Sequence, residues 1–138
     1  MQTILTYFTI LIASFIMQAQ NTIEVSMSGF ESNKGKAMVG LFVEEDTFLR
    51  NPEITLSSKI INNKSEVIFT DIPDGVYAIS VYHDENDNNE LDLIMGMIPK
   101  EDNGTSNNPD TVLGPPKWKD SIFKVKGGEV VHFDIIIK

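Results

Sequence analysis

Cysteine is absent from the 138-residue sequence, and histidine and basic side chains are scarce. Without cysteine, the chain can form no disulfide, no thiolate nucleophile and no cysteine-ligated zinc site. The two histidines, His83 and His132, leave little for a histidine metal centre or a catalytic triad. Eleven Lys+Arg face twenty Asp+Glu, so the net charge is −9 and the basic patch that nucleic-acid binders need is missing.

The amino-terminal segment, residues 1–19, has the pattern of a secretory signal peptide. It has no charged side chain, and its apolar run from Ile4 to Met17 is shorter than the roughly 20 residues of a membrane span. The segment also lacks the usual Lys or Arg near its start, and a buried first strand or an uncleaved anchor are the alternatives. We expect cleavage near Ala19, a secreted or periplasmic location, and one domain over residues 20–138 with no membrane span.

The rest of the chain is typical of β-strands, because apolar residues alternate with polar ones rather than recurring at helical spacing. The run Asn62-Asn63-Lys64 predicts a hairpin turn, since Asn tolerates positive φ. Only residues 44–49 predict a helical turn. The fold class expected is all-β, an antiparallel β-sandwich of about seven strands, transthyretin-like or immunoglobulin-like. The predicted strands lie at residues 23–27, 36–43, 55–61, 65–70, 76–83, 91–97, 122–126 and 130–137.

The negative charge is concentrated in one part of the chain. Residues 71–110 contain ten Asp+Glu and one Lys, a net charge of −9, whereas the remaining residues contain ten acidic and ten basic side chains and sum to zero. A scattered solvated surface would not produce this distribution, so the acidity indicates a local feature of the chain.

A loop with calcium-ligand spacing follows the strongest predicted strand. Asp84, Asn86 and Asn88 occupy positions 1, 3 and 5 of a D-x-[DN]-x-[DN]-G pattern, with Glu90 at position 7 and Asp92 at position 9. This spacing lets alternate oxygens converge on one hard cation as the backbone curls around it. We therefore predict a Ca²⁺ site formed by these five residues.

Two departures from the calcium pattern leave a second interpretation open. Position 6 is Asn89 instead of Gly, which Asn tolerates, and position 12 is Met95, so the bidentate Glu of a helix-loop-helix site is missing. The alternative is a solvated turn stabilised by Asx hydrogen bonds. Besides water, the candidates for the missing ligand are Asp71, Asp74, Glu101 and Asp102.

Several motifs in order carry a resemblance to a known family. They are the turn 72–78 (IPDGVYA), the loop 83–92 (HDENDNNELD), the segment 96–108 with GMIPKE and SNN, and the turn 114–116 (GPP). Over about residues 22–138 the chain resembles the small secreted bacterial proteins called domain of unknown function 2141. More broadly it is similar to transthyretin-like and Cna B-type sandwiches. The resemblance implies a secreted β-sandwich but no established activity, and Asn89 is its main departure.

Two classes of function remain. The first is a calcium-stabilised, non-catalytic module for binding or scaffolding, with a protein, peptide or glycan at the cell envelope as its partner. The second is a small-molecule or carbohydrate-active enzyme with its site in loops 84–110. Ser106 and the distant His83 do not indicate acyl transfer. Trp118 either covers an open end of the core or stacks on a sugar or partner.

Overall fold

The computed structural model describes residues 20–138, so the predicted signal peptide lies outside the described residues. Two short helical segments are present, a 3-10 turn at Glu45–Thr47 and α1 at Trp118–Ser121. Across residues 20–138, no helix has the length and apolar character needed to cross a membrane. The strands are β1 (Asn21–Ser28), β2 (Lys36–Phe42), β3 (Ile54–Ser58), β4 (Lys64–Ile72), β5 (Gly75–Asp84), β6 (Leu93–Ile94), β7 (Ile98–Pro99), β8 (Asn103–Thr105), β9 (Phe123–Val125) and β10 (Val130–Ile136).

The strands form two main sheets, which confirms the predicted all-β sandwich. One sheet has the order β10-β1-β4, and the other has the order β3-β2-β5-β8. Strand β9 pairs with the first half of β5 and β8 with its second half, while β6 and β7 form a separate small hairpin. One pair departs from the antiparallel expectation, because β1 and β10 run parallel. The turn after β9 carries the chain from one sheet to the other, so β10 enters beside β1 in the same direction.

The core lies between the two sheets and follows the alternation seen in the sequence. On β1, Ile23, Val25 and Met27 are buried, and on β5, Ile79 and Val81 are completely buried. Side chains from both sheets join in one apolar cluster, in which each large buried side chain contributes about 1.5–3 kcal/mol of transfer free energy. The other face of β5 is also partly covered, since Ala78 is buried against a second, smaller cluster.

Two local predictions needed correction. Asn62 and Asn63 do form a tight turn, with φ of 53° and 60°, but the strands beside it separate because β3 pairs with β2 and β4 pairs with β1. The turn therefore passes the chain between sheets. The strand predicted over residues 91–97 is wrong, because Met95 and Gly96 both have positive φ and divide it into the β6–β7 hairpin.

The helical turn α1 was not expected from the sequence. Its Trp118 packs edge-on against Phe48, with ring centroids 5.5 Å apart, in the small cluster around Phe42 and Ala78. The partly buried indole thus covers one end of the five-stranded sheet, which agrees with the structural interpretation of this residue. Ser121 closes the turn by donating its hydroxyl hydrogen to the carbonyl oxygen of Lys117.

Candidate functional site

The predicted loop begins where β5 ends, and the Asp84 side chain organises it. Asp84 is completely buried, and its two carboxylate oxygens accept the backbone N–H groups of Asn88, at 3.0 Å, and Asn89, at 2.8 Å. A carboxylate that accepts two main-chain donors holds the chain in a curl around itself. The first residue of the predicted ligand set therefore sits at the centre of the loop.

Three further predicted ligands meet at the open side of this curl. The side-chain amides of Asn86 and Asn88 both donate to the Asp92 carboxylate, the second at 2.9 Å. Four of the five predicted side chains are therefore brought together. The fifth, Glu90, joins through its backbone, whose N–H donates to the Asn88 side-chain oxygen at 3.0 Å, while its own side chain is exposed. Position 7 of such loops ordinarily supplies a backbone carbonyl, so an outward Glu90 side chain fits that pattern.

The backbone has the left-handed residue that the calcium pattern requires. Asn89, at the position usually occupied by Gly, has φ of 63°, and Asp87 has φ of 58°. Asn adopts this region several-fold more readily than most residues. The replacement of Gly by Asn therefore leaves the curl intact.

Glu101 is the suggested extra ligand that the fold places against the loop. Its carboxylate accepts the backbone N–H of Asp92 at 3.2 Å. Burial raises the pKa of Glu101, and the negative charges of Asp92 and Asp84 raise it further, against the lowering effect of its backbone hydrogen bonds. A carboxylate held beside other carboxylates is a group that a cation would stabilise in its charged form.

Of the other three suggested ligands, Asp74 has its carboxylate engaged away from the loop. The Asp74 side chain accepts the Asn21 amide at 2.9 Å and the Gly127 N–H at 3.1 Å. Asp71, with φ of 59°, lies next to the register shift near the end of β4. Asp102 takes part through its main-chain oxygen, which accepts the N–H of His83 at 2.9 Å.

Lys36 is a part of the site that sequence reasoning missed. Its ammonium nitrogen lies 2.9 Å from an Asp87 oxygen and 3.9 Å from an Asp84 oxygen, and it donates to the side-chain oxygen of Asn89. The register pairs Lys36 directly with Asp84 across β2 and β5. The loop thus already attracts one cation, the ammonium group of Lys36. No signal in the sequence indicated this pairing, since the two residues are far apart along the chain.

The turn before β2 also supports the loop. The His83 ring nitrogen Nε2 lies 2.7 Å from the carbonyl oxygen of Lys34, and its ring packs edge-on against Phe30. Gly35, with φ of 63°, lies so close to the loop that a Cβ there would be 1.9 Å from the Asp84 carbonyl oxygen. His83 therefore has a structural role beside the site, and Gly35 is required by the close approach of two main chains.

Burial and the negative charge of the loop raise the pKa of a neighbouring tyrosine. Tyr82 precedes the site on β5, and burial together with the charges of Asp84, Glu101, Glu90 and Asp92 raises its pKa to about 12. Its hydroxyl therefore stays protonated at physiological pH.

The acidic groups alone do not form a ready metal centre. Within residues 20–138, no three histidine or acidic side chains converge closely enough to hold a metal ion. The oxygens gathered here come partly from amides, and each amide can present its oxygen in place of its nitrogen by rotating about its last bond. The cluster is therefore a mixed carboxylate and amide loop.

Ser106 has a structural role as well. It is completely buried, its hydroxyl oxygen accepts the N–H of Ile79 at 3.0 Å, and its hydroxyl donates to the carbonyl oxygen of Ser121. Those contacts join β5 to the end of α1 and leave the hydroxyl engaged with the main chain.

Comparison with known proteins gives one result. The family model described as "Uncharacterized protein conserved in bacteria (DUF2141)" matches residues 25–132. No curated protein and no solved structure matches the chain. The matched residues include the whole of loop 84–92, all of the five-stranded sheet, and β4 with parts of β1 and β10 from the other sheet.

Proposed function

The chain belongs to the bacterial DUF2141 family, and from this premise we propose that it is an exported module that binds Ca²⁺ through loop 84–92 and acts by binding rather than by catalysis. The observation that carries the proposal is the convergence of Asp84, Asn86, Asn88 and Asp92 around one curl. Oxygen atoms from carboxylates and amides are the ligands that Ca²⁺ prefers.

Ligand number favours calcium over magnesium. The four convergent side chains, the Glu90 carbonyl and the nearby Glu101 carboxylate could together supply six or more oxygens from a curling loop. Ca²⁺ takes six to eight oxygens in adaptable geometry, whereas Mg²⁺ demands a tight octahedron and keeps its waters. We expect a dissociation constant on the order of 10⁻⁵ to 10⁻³ M, as in extracellular modules.

The local charge also supports an ion at this loop. Residues 71–110 carry a net charge of −9 and Lys36 offsets only part of it at the loop. Like charges held together in a folded chain repel one another, and a bound divalent cation would relieve that repulsion. A solvated turn with Asx hydrogen bonds is the competing interpretation, and it predicts no stabilisation by calcium.

Thermal melting with and without calcium separates these interpretations. At a free ion concentration about 100 times the dissociation constant, binding stabilises the folded state by about 2.7 kcal/mol. We therefore expect Tm to rise by several degrees in Ca²⁺ at that ratio relative to EDTA, and less in the same concentration of Mg²⁺. Identical melting in both media, with no heat in calorimetry, would contradict the proposal.

A role in binding rather than catalysis has its own test. If the protein were an enzyme with its site in loops 84–110, EDTA would remove a turnover along with the stability. We expect EDTA to lower Tm without loss of any hydrolytic turnover on a panel of ester and glycoside substrates. A calcium-dependent turnover in that panel would contradict the non-catalytic role. The expected partner is a protein, peptide or glycan at the cell envelope.

Export is the remaining part of the proposal. The uncharged apolar segment over residues 1–19 supports it. Intact-mass measurement of protein recovered from the periplasm or medium should show a chain that begins near Gln20. A soluble protein that retains Met1 would contradict cleavage at this position.

A further inference from the structure

A cavity of about 430 Å³ lies on the outer face of the five-stranded sheet, away from the main core. Met38, Gly40 and Phe42 of β2 form its floor, and Ser80 and Tyr82 of β5 continue that floor. Segments that follow β2 and β5 fold over this face and form the walls. Small-molecule sites in proteins have volumes of about 300–1,000 Å³ and are mostly apolar with a few polar groups. The cavity, called the outer cleft below, has that size and character.

Gly40 lets the walls of the outer cleft pack closely on its floor. A Cβ at this position would lie 3.0 Å from Pro52 Cβ and 3.1 Å from the Phe42 ring, so a side chain would push both of these residues away. In register with Gly40 lie Thr55 on β3 and Ser80 on β5, which are also small. The sheet therefore leaves space between the larger side chains of Met38 and Phe42.

One end of the outer cleft carries a cationic group. Arg50, the one arginine of the sequence, lines the cleft on the segment that follows the Phe42 end of β2. Within residues 20–138, its guanidinium has no ion pair and no hydrogen bond to a side chain. Leu49 beside it has φ of 63°, a conformation that is costly for this residue, so the backbone that presents Arg50 is strained.

The other end of the outer cleft is the calcium loop. Asn89 and Glu90 line the cleft and also belong to loop 84–92. Strand β2 rises about 3.3 Å per residue, so the four steps from Met38 to Phe42 separate the two ends by roughly 13 Å. The positive group and the acidic loop therefore lie at opposite ends of an apolar floor.

We infer that the outer cleft binds a small organic anion, with an aromatic or aliphatic body on the floor and one carboxylate or sulfonate paired with Arg50. A planar guanidinium binds such groups through two parallel hydrogen bonds. The inference rests on the proposed function, because it gives the binding module a ligand class. Calcium in loop 84–92 should strengthen anion binding, since it neutralises negative charge at the far end of the cleft.

Two fluorescent probes with the same aromatic body test the anionic group. 8-Anilinonaphthalene-1-sulfonate carries a sulfonate, and N-phenyl-1-naphthylamine is its neutral counterpart. In Arg50→Gln, we expect the dissociation constant of the sulfonate probe to rise at least about tenfold, while that of the neutral probe changes less than about twofold. Lys64→Gln is the matched control, because it removes one positive charge from an exposed position in the other sheet. It should leave both probes unaffected.

A second variant tests whether the two probes bind in the outer cleft. Ser80→Leu places a larger side chain over Gly40 and should weaken both probes at least about tenfold, with the fold checked by circular dichroism. Should Ser80→Leu fail to fold, Thr55→Phe on the exposed edge strand tests the same space. Unchanged binding in a folded filling variant would overturn the assignment. Equal sulfonate-probe affinity in wild type and Arg50→Gln, or no saturable binding of either probe, would overturn it as well.

The calcium-induced change in Tm is measured separately on the same samples, and it tests the calcium site. Arg50-dependent probe binding without any calcium-induced rise in Tm would contradict the calcium site and support the outer cleft. A calcium-induced rise in Tm, together with probe binding that does not depend on Arg50, would support the calcium site and contradict the outer cleft.

Discussion

The turn at Asn62-Asn63 and the loop 84–92 are built from the same residue types, but different groups hold them. In the turn, both Asn residues have positive φ, and Ile61 and Lys64 exchange two main-chain hydrogen bonds of 2.8 and 3.1 Å. In the loop, the main-chain donors are instead accepted by the buried carboxylate of Asp84.

This difference shows when an Asn- and Asp-rich segment is only a turn. A turn closed by main-chain bonds has its polar groups paired without any charge, so an ion adds nothing to it. A loop closed by a carboxylate places charge at its centre, and here Asp92 and Glu101 add charge beside it. In the proposed calcium site, a cation would stabilise this charge, whereas the turn has no charge to stabilise.

The largest expected effect is that of Asp84→Ala. It removes the carboxylate that accepts the N–H groups of Asn88 and Asn89, which should cost about 1–3 kcal/mol of folding free energy. It should also abolish the calcium-induced rise in Tm. Melting in EDTA and in Ca²⁺ measures both effects. Asp110→Ala removes the same charge from an exposed position and should keep the calcium response. If Asp84→Ala still responds to calcium like the wild type, the loop and the turn do not differ as described.

The next effect concerns Glu101 and pH. Since its pKa is raised above the ordinary 4.5, the folded state holds this proton more tightly. Its contribution to stability is therefore fully present below the ordinary pKa and is lost as pH rises through the raised value. In the proposed site calcium binds the charged carboxylate, so the calcium-induced rise in Tm should shrink as pH falls from neutral toward this raised pKa.

Glu101→Gln tests the same group directly. It should weaken calcium binding roughly tenfold, or about 1.4 kcal/mol, and should flatten the pH dependence of the calcium response in calorimetry. A variant with unchanged affinity and unchanged pH dependence would exclude Glu101 from the site. Glu53→Gln, an exposed residue before β3, serves as the control.

A smaller effect is expected from Lys36→Gln. The ammonium already neutralises part of the loop, so its removal should raise calcium affinity about two- to tenfold and lower stability in EDTA. Titration calorimetry and melting measure the two changes. Lys34→Gln removes a charge two residues away on an exposed side chain and should do neither. Weaker calcium binding in Lys36→Gln would contradict the competition described here.

The smallest effects are expected when glycine replaces Asn89 or Asn63, two residues with left-handed backbone. Asn89→Gly and Asn63→Gly both relieve a positive φ, and each should change the free energy of unfolding by less than about 1 kcal/mol. Asn89→Gly should preserve or strengthen calcium binding, whereas Asn63→Gly should leave it unchanged. A large loss of calcium affinity in Asn89→Gly would mean that the Asn89 side chain, which accepts from Lys36, matters more than its backbone.

Much of the site could be predicted from the sequence because it is local. Asp84, Asn86, Asn88 and Asp92 lie within nine residues, and their spacing is enough to indicate one curl with convergent oxygens. Glu101 was among several candidates, and only the pairing of β5 with the segment after β7 selected it. Lys36 was not predicted, since nothing local links it to the loop.

The sequence by itself determined the β class, the alternating faces of β1 and β5 and the left-handed residue at Asn89, because period-two alternation and φ preference are short-range properties. The tertiary structure decided which strands become neighbours. The parallel β1–β10 pair, the crossing after Asn63, the ammonium of Lys36 at Asp84 and the outer cleft beside Arg50 all depend on that choice. Such pairings are set by the burial of residues distant in the chain, and no local pattern encodes them.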